Sequence, residues 1–368
     1  MKKSPTRFGS KEGAAFHKAI RQGVNRYFQN RGLSKHAAGG AWFKNAFMLA
    51  LYFVPYFLAL IFFQEQPGLI VLLYGIMGLG MAGIGMNVTH DANHGATSSS
   101  RNTNHLLGSV LYFIGVDRDL WRQEHNVEHH TFTNIQGLDS DISVPFFLRF
   151  SPNQRLRKIH RYQFIYAWPL YGLITLRWAT IGDFARTIKN HKDESAPKPE
   201  LTKGLLKLAG WKLFYHAYLW VLPAVFLPVS LGTMFLGFLA MQMVAGFILG
   251  IIFQTAHIMP EAAFPEPGPD NRIESHWAVH QMETTVNYAG HDRFFSWFVG
   301  GLNYQIEHHL FPHISHQHYP DIAKIVKQIA EEHGVPYRTH KTFFAAVHAH
   351  GKHLWALGRE ERKMEVAV

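Results

Sequence analysis

Four apolar stretches, about Asn45–Phe63, Gly68–Val88, Leu213–Val229 and Leu231–Phe253, contain no Lys, Arg, Asp or Glu. Each is long enough, or nearly so, to cross a hydrocarbon core of roughly 30 Å. Inside such a core every backbone polar group must be satisfied within the segment, which restricts these stretches to helices. Tight connections join them in pairs: Gln64-Glu-Gln-Pro67 in the first, and the neighbourhood of Pro228 to Gly232 in the second. A soluble core helix can be as apolar, but four of this length in two pairs favour the membrane. The expected fold is all-α and integral to the membrane: four transmembrane helices in two hairpins, under a helical cap formed by residues 89–212 and 254–368.

Charge sets the orientation. The chain has 368 residues and a formal net charge of +10. Residues 1–44 hold ten Lys or Arg and a single acid, Glu12, whereas neither hairpin tip contains a basic residue. The positive-inside rule therefore places the N-terminus, the central segment and the C-terminal third in the cytosol. No secretory signal is expected, because the first apolar run begins late and follows a basic segment. Phe16, Ile20, Val24 and Phe28 recur every four residues among Lys18, Arg21 and Arg26. That stripe suits a helix lying on an anionic membrane surface or one packed on the cytosolic cap. Leu106–Val116 and Tyr166–Trp178 are too short to span, and Ser195–Glu200 is a polar linker before the second hairpin. No nucleic-acid motif is present, so the basic charge is assigned to lipid headgroups and acidic partners.

Three histidine clusters border the apolar runs: His90-Asp-Ala-Asn-His94, His125-Asn-Val-Glu-His129-His130 and Gln305-Ile-Glu-His308-His309. Residues four apart share a helix face, so His90 and His94 can present two imidazoles to one point. His125 and His129 repeat that spacing, with His130 about 100° further round. Gln305, His308 and His309 fall at i, i+3 and i+4. Imidazole suits Fe, Zn, Cu and Ni, and seven ligands exceed what one closed site needs. Two metal ions in a shared cage is the natural reading. A solitary pair of histidines four apart would more often be interfacial; three clusters, two with tandem His-His, are not explained that way. Asp91, Glu128 and Glu307 adjoin cluster histidines and are candidates to hold a second ring nitrogen. As single residues they fit solvated helix faces equally well. The chain holds 25 His and no Cys, which excludes thiolate-bound haem, Cys-ligated iron–sulfur clusters and disulfides.

The three boxes, with Trp121-Arg-Gln-Glu-His125 and Gln305-Ile-Glu-His-His-Leu-Phe-Pro312 around them, make the chain resemble the membrane fatty-acid desaturases. Gln in place of the first histidine of the third box, as at Gln305, is similar to the front-end branch. The resemblance covers about Asn45 to Tyr319, so residues 45–368 are taken as the desaturase domain, behind the basic segment 1–44. It implies a non-haem diiron centre, O2 as co-substrate, and an acyl chain carried as acyl-CoA, acyl-lipid or acyl carrier protein. The new double bond then lies between an existing one and the carboxyl end. The resemblance also implies a further histidine ligand just after the last span, where His257 stands; His280 is the runner-up. Front-end relatives often carry a fused cytochrome b5 domain with a His-Pro-Gly-Gly motif. Neither is found in the first 44 residues, so a separate donor such as ferredoxin or cytochrome b5 is expected. Arg101, Arg118 and Arg122 are candidates to dock it or to hold the acyl head group.

Removing hydrogen from an unactivated methylene needs a metal–oxygen oxidant that side-chain acid–base chemistry cannot supply. Related histidine-box proteins also hydroxylate alkyl and lipid substrates, which is the rival reading. A metal-binding membrane transporter is the rival from another class. Against it, His216 is the sole ionisable residue in the four runs apart from tyrosine, whereas transport pathways usually place polar groups at mid-membrane.

Overall fold

A computed structural model describes residues 6–192 and 201–360; most of the Ser195–Glu200 neighbourhood, including the linker itself, lies outside the described residues. The chain is mostly helical. Its first long helices are α1 (Ala14–Arg31), α2 (Gly39–Ile61) and α3 (Pro67–Asn93). After a series of short helices come α4 (Leu201–His216) and α5 (Leu231–His257). The last third contributes α6 (Trp277–Thr284), α7 (Gln305–Leu310), α8 (Tyr319–Glu332) and α9 (Phe343–Leu357). The only strands among the described residues are two-residue parallel bridges, Arg7–Phe8 with Arg272–Ile273 and Asn287–Tyr288 with Thr339–His340.

Among the described residues, three helices are long and apolar enough to cross a membrane: α2, α3 and α5. α2 starts six residues before the stretch expected from composition and stops two short of its end, while α3 and α5 run past theirs at the C-terminal end, because a helix continues through flanking polar residues while its backbone bonds remain satisfied. The stretch expected at 213–229 is helical too, as the end of α4, a π-turn at Ala217–Val221 and the short helix Leu222–Phe226. It is not in the same class by length and composition. Lys212 immediately precedes it, and Tyr215, His216 and Tyr218 interrupt its apolar character. Lys212 is buried, and its Nζ donates to Gly115 O (2.7 Å), Trp178 O (2.5 Å) and Asp183 Oδ2 (2.6 Å).

The chain divides into two compact units, Met1–His36, Glu124–Ala167 and Ile252–Val368 in one, Ala37–Gln123 and Trp168–Ile251 in the other. In the second unit α2 packs along α3, and Met48, Tyr52 and Tyr56 of α2 and Tyr74, Met77 and Met81 of α3 are buried. Gly80 allows the approach, since a Cβ there would stand 2.5 Å from Tyr52 N.

In the first unit α1 packs on α8 and α6. Its stripe of Phe16, Ile20, Val24 and Phe28 is buried with Met282, Ile306, Leu310, Ile322 and Val326. Burial of each such side chain contributes roughly 1.5–3 kcal/mol. The stripe is therefore spent on the protein core, not on a lipid surface, and the basic segment belongs to the unit that carries the second and third boxes. Fully buried Arg149 fastens the C-terminal end of α9 by donating to Leu357 O (2.5 Å), Glu360 O (2.8 Å), Pro152 O (2.7 Å) and Gln154 O (2.8 Å).

Candidate metal centre

The first box lies at the end of α3, in the second unit. A π-turn at Ile84–Thr89 precedes it. Such a turn shifts the helix from i→i+4 to i→i+5 bonding and rephases everything after it. Asn87 Nδ2 (to Gly83 O, 3.0 Å) and Thr89 Oγ1 (to Ile84 O, 3.1 Å) satisfy carbonyls that the turn disturbs. The His90 and His94 rings then lie 4.8 Å apart, with Trp121 edge-on to both. Asp91 Oδ1 stands 3.8 Å from His90 Nδ1, beyond hydrogen-bond range. Arg118 is turned inward: it is buried, and its Nε donates to Asn93 Oδ1 at 2.8 Å. It is thus a brace for the first box, not a docking residue, while Arg101 and Arg122 stay exposed.

The second box is itself a π-turn, Gln123–His129, running into the short helix His130–Phe132. This corrects the simple helical projection. In a π-turn residues five apart align, so His130 comes back onto His125, with the two Nε2 atoms 3.3 Å apart. His125 and His129 are farther apart, at 5.5 Å between rings. Two imidazole nitrogens at 3.3 Å match neighbouring ligands of one ion, given metal–nitrogen bonds of about 2.0–2.1 Å.

The third box is α7. Its His308 and His309 rings lie 4.5 and 4.4 Å from His130. His129, His309 and His257, the last residue of α5, form a near-equilateral triangle with ring centroids 4.7, 4.8 and 4.9 Å apart. One ring nitrogen of each lies within 4.8 Å of the other two, and all three residues are buried.

Each of these rings is held from outside by Nδ1. His129 Nδ1 lies 3.2 Å from both carboxylate oxygens of Asp139. His309 Nδ1 meets Gln281 Oε1 at 2.8 Å, His257 Nδ1 meets Thr284 O at 3.3 Å, and His308 Nδ1 meets the Tyr319 hydroxyl at 3.4 Å. With Nδ1 as the donor, the Nε2 lone pairs turn to a common interior, the arrangement metal-ligating histidines adopt. His257 is buried, with the Gln305 side chain against its imidazole. The donor set therefore fits a metal.

Asp139 is the residue that sequence reasoning missed. It is fully buried, and it also accepts the Asn134 (2.8 Å) and Asp141 (2.9 Å) backbone N–H groups. It lies in a loop after His130, entered through Asn134 in the left-handed region (φ 60°), so no helical spacing points to it. Only Asp-Ser-Asp nine residues downstream hinted at it. Burial opposes a charge on His129, but Asp139 and Asp141 outweigh it and push the imidazole up to about 9.

Glu307, expected to orient an imidazole, instead accepts from Asn287 Nδ2 (2.7 Å) and Tyr337 OH (3.0 Å), and Asn287 Oδ1 accepts the Ile306 N–H. It fixes α7 in place. Burial drives its carboxyl up to about 7 against those hydrogen bonds. Glu128 is half-buried. Gln305 is buried, and its side chain lies against the His257 imidazole. His280 is buried against Phe8, outside the triangle, and burial pushes it down to about 4.

A family model described as fatty acid desaturase matches residues 66–341. The chain is 34% identical to the acyl-lipid (8-3)-desaturase of Physcomitrium patens, covering 99% of this chain and 76% of that one. Similar are the sn-1 linoleoyl-lipid 6-desaturases of Synechocystis sp. (34%, covering 96% and 98%) and Arthrospira platensis (35%, covering 94% and 93%).

Proposed function

Since the chain belongs to the fatty acid desaturase family and is an acyl desaturase, we propose that it acts on an acyl chain esterified to a membrane lipid. The new cis double bond enters between an existing one and the carboxyl end. Names such as sn-1 linoleoyl-lipid 6-desaturase among its relatives support both points. The hydroxylase and transporter readings have no such support.

Two irons are held by His90, His94, His125, His129, His130, His257, His308 and His309, with Gln305 at a weaker position. The triangle of His129, His257 and His309, each ring turned inward by a partner on Nδ1, is the observation that carries this reading. Bound there, iron supplies the O2-dependent redox chemistry that removes hydrogen from unactivated methylenes. Asp139, Gln281 and the Thr284 carbonyl fix the tautomers that leave Nε2 available. Gln305 presents an amide, a poorer ligand than imidazole, and so leaves one position more open.

The expected topology has four spans in two hairpins, with the termini and the boxes on the cytosolic side; the charge asymmetry of the N-terminal segment supports it. Electrons come from a separate carrier protein. Expression in a host fed linoleate, followed by gas chromatography–mass spectrometry of the lipids, tests the reading. A new double bond on the carboxyl side of the existing ones, made by protein holding close to two irons per chain, is expected. An alcohol product, or activity that persists with zinc in place of iron, overturns it.

A further inference from the structure

Desaturation of one CH2–CH2 pair by O2 balances only with two electrons and two protons, giving the alkene and two waters. The structure suggests where those electrons enter. Trp277, at the start of α6, is half-buried, and its indole N–H donates to the backbone carbonyl of His130 at 3.3 Å. His130 belongs to the second box, its Nε2 being 3.3 Å from that of His125. On its outer side Trp277 meets His17 of α1, with ring centroids 5.7 Å apart, and His17 in turn lies edge-on to His276 at 5.2 Å. A partly exposed aromatic ring is thus one hydrogen bond from a box histidine, and it lies in the same compact unit as the helix that carries the basic surface.

That surface is cationic. Lys18 and Arg21 are exposed on α1, one turn apart, at the first and fourth positions after His17. Arg21 lies close enough for its charge to act on His17, and Lys35 and Arg21 act likewise on His313. The opposite face of α1 is committed to the core, so the basic face is held in one orientation.

We propose that the face of α1 around Lys18 and Arg21 docks a small acidic one-electron carrier protein over Trp277, and that the indole and its hydrogen bond to His130 form the path into the metal centre. Two successive carriers each give one electron. The indole is a conduit and is neither oxidised nor reduced in the net reaction. Charge complementarity of this kind sets the encounter rate and its salt dependence. The inference rests on the desaturase reading.

The test uses iron-loaded protein in nanodiscs and a plant-type [2Fe–2S] ferredoxin as probe. Binding is measured by biolayer interferometry, and oxidation of the reduced probe by anaerobic stopped flow. The double variant K18E/R21E is expected to weaken binding by about tenfold or more at low salt, with the difference shrinking as salt rises. At probe concentrations that saturate binding for each protein, Trp277→Leu is expected to slow probe oxidation about tenfold or more, whereas Trp277→Phe, which keeps an aromatic ring, falls between. Iron content and melting temperature verify that each variant is folded. Unchanged affinity in K18E/R21E, or probe oxidation at the wild-type rate in Trp277→Leu, overturns the proposal. Electron uptake titrated with dithionite separates the two readings. Protein that takes up two electrons from dithionite while these variants behave as wild type keeps the desaturase reading and loses the docking site. Protein that takes up none loses the desaturase reading itself.

Discussion

Asp139→Asn isolates the contribution of one buried carboxylate to the metal centre. The substitution keeps the volume and one acceptor oxygen. Two backbone N–H groups, of Asn134 (2.8 Å) and Asp141 (2.9 Å), compete for that oxygen with His129 Nδ1 (3.2 Å). With the oxygen on the backbone, an NH2 donor faces the Nδ1–H donor. Imidazole then shifts to the tautomer protonated on Nε2, which removes the lone pair a metal needs. Loss of such an orienting partner costs about 10- to 100-fold in metal affinity, or about 1.4 to 2.7 kcal/mol. Iron retained after equilibration with graded chelator, read by mass spectrometry, measures it. Asp141→Asn is the control: Asp141 lies 3.4 Å from the same nitrogen but is 43% exposed, and solvent screens it. Its effect is expected to stay within about threefold. Chelator curves that coincide for wild type and Asp139→Asn, with both proteins folded, would refute the argument. The same pair predicts a pH dependence in metal-free protein. The raised proton affinity of His129 adds stability that is complete below its unfolded value of about 6.5 and is lost as pH rises through about 9. Melting temperature should fall across that interval in wild type and much less in Asp139→Asn.

Gln305→Ala should lose most desaturation while the protein still folds, and Gln305→His should retain iron but turn over poorly; near-normal turnover in the alanine variant at unchanged iron content would remove Gln305 from the site. Arg149→Ala deserts four buried or half-buried carbonyls and should destabilise the protein by about 3 kcal/mol or more, seen as a lower melting temperature and early proteolysis of the C-terminal helix. Cysteine scanning tests the topology: a cysteine at Glu65 should react with an impermeant maleimide in intact cells, and one at Arg157 only after permeabilisation. The reverse pattern would overturn the assigned orientation.

The sequence by itself determined that this chain has charge-free stretches long enough to cross a membrane and histidines grouped for metal. Composition suffices for the first, because hydrocarbon rejects charge whatever the packing. Local spacing suffices for the second, because each box lies within one or two helical turns. Spacing failed where the helix departs from its regular period. The π-turns at Ile84–Thr89 and Gln123–His129 bring His130 onto His125 and rephase His90, and a fixed 100° projection cannot foresee an inserted residue. Partners separated by a loop or by most of the chain were likewise decided only in three dimensions. Asp139 reaches His129 because Asn134 reverses the chain, and His257 meets His309 because α5 and α7 end at one place. Gln281, Thr284 and Tyr319 hold rings that the sequence gives no reason to pair with them. The apolar stripe of α1 shows the same limit from the other side. Its period establishes that one face must be covered, and only the packing of α8 and α6 decides that protein, not lipid, covers it.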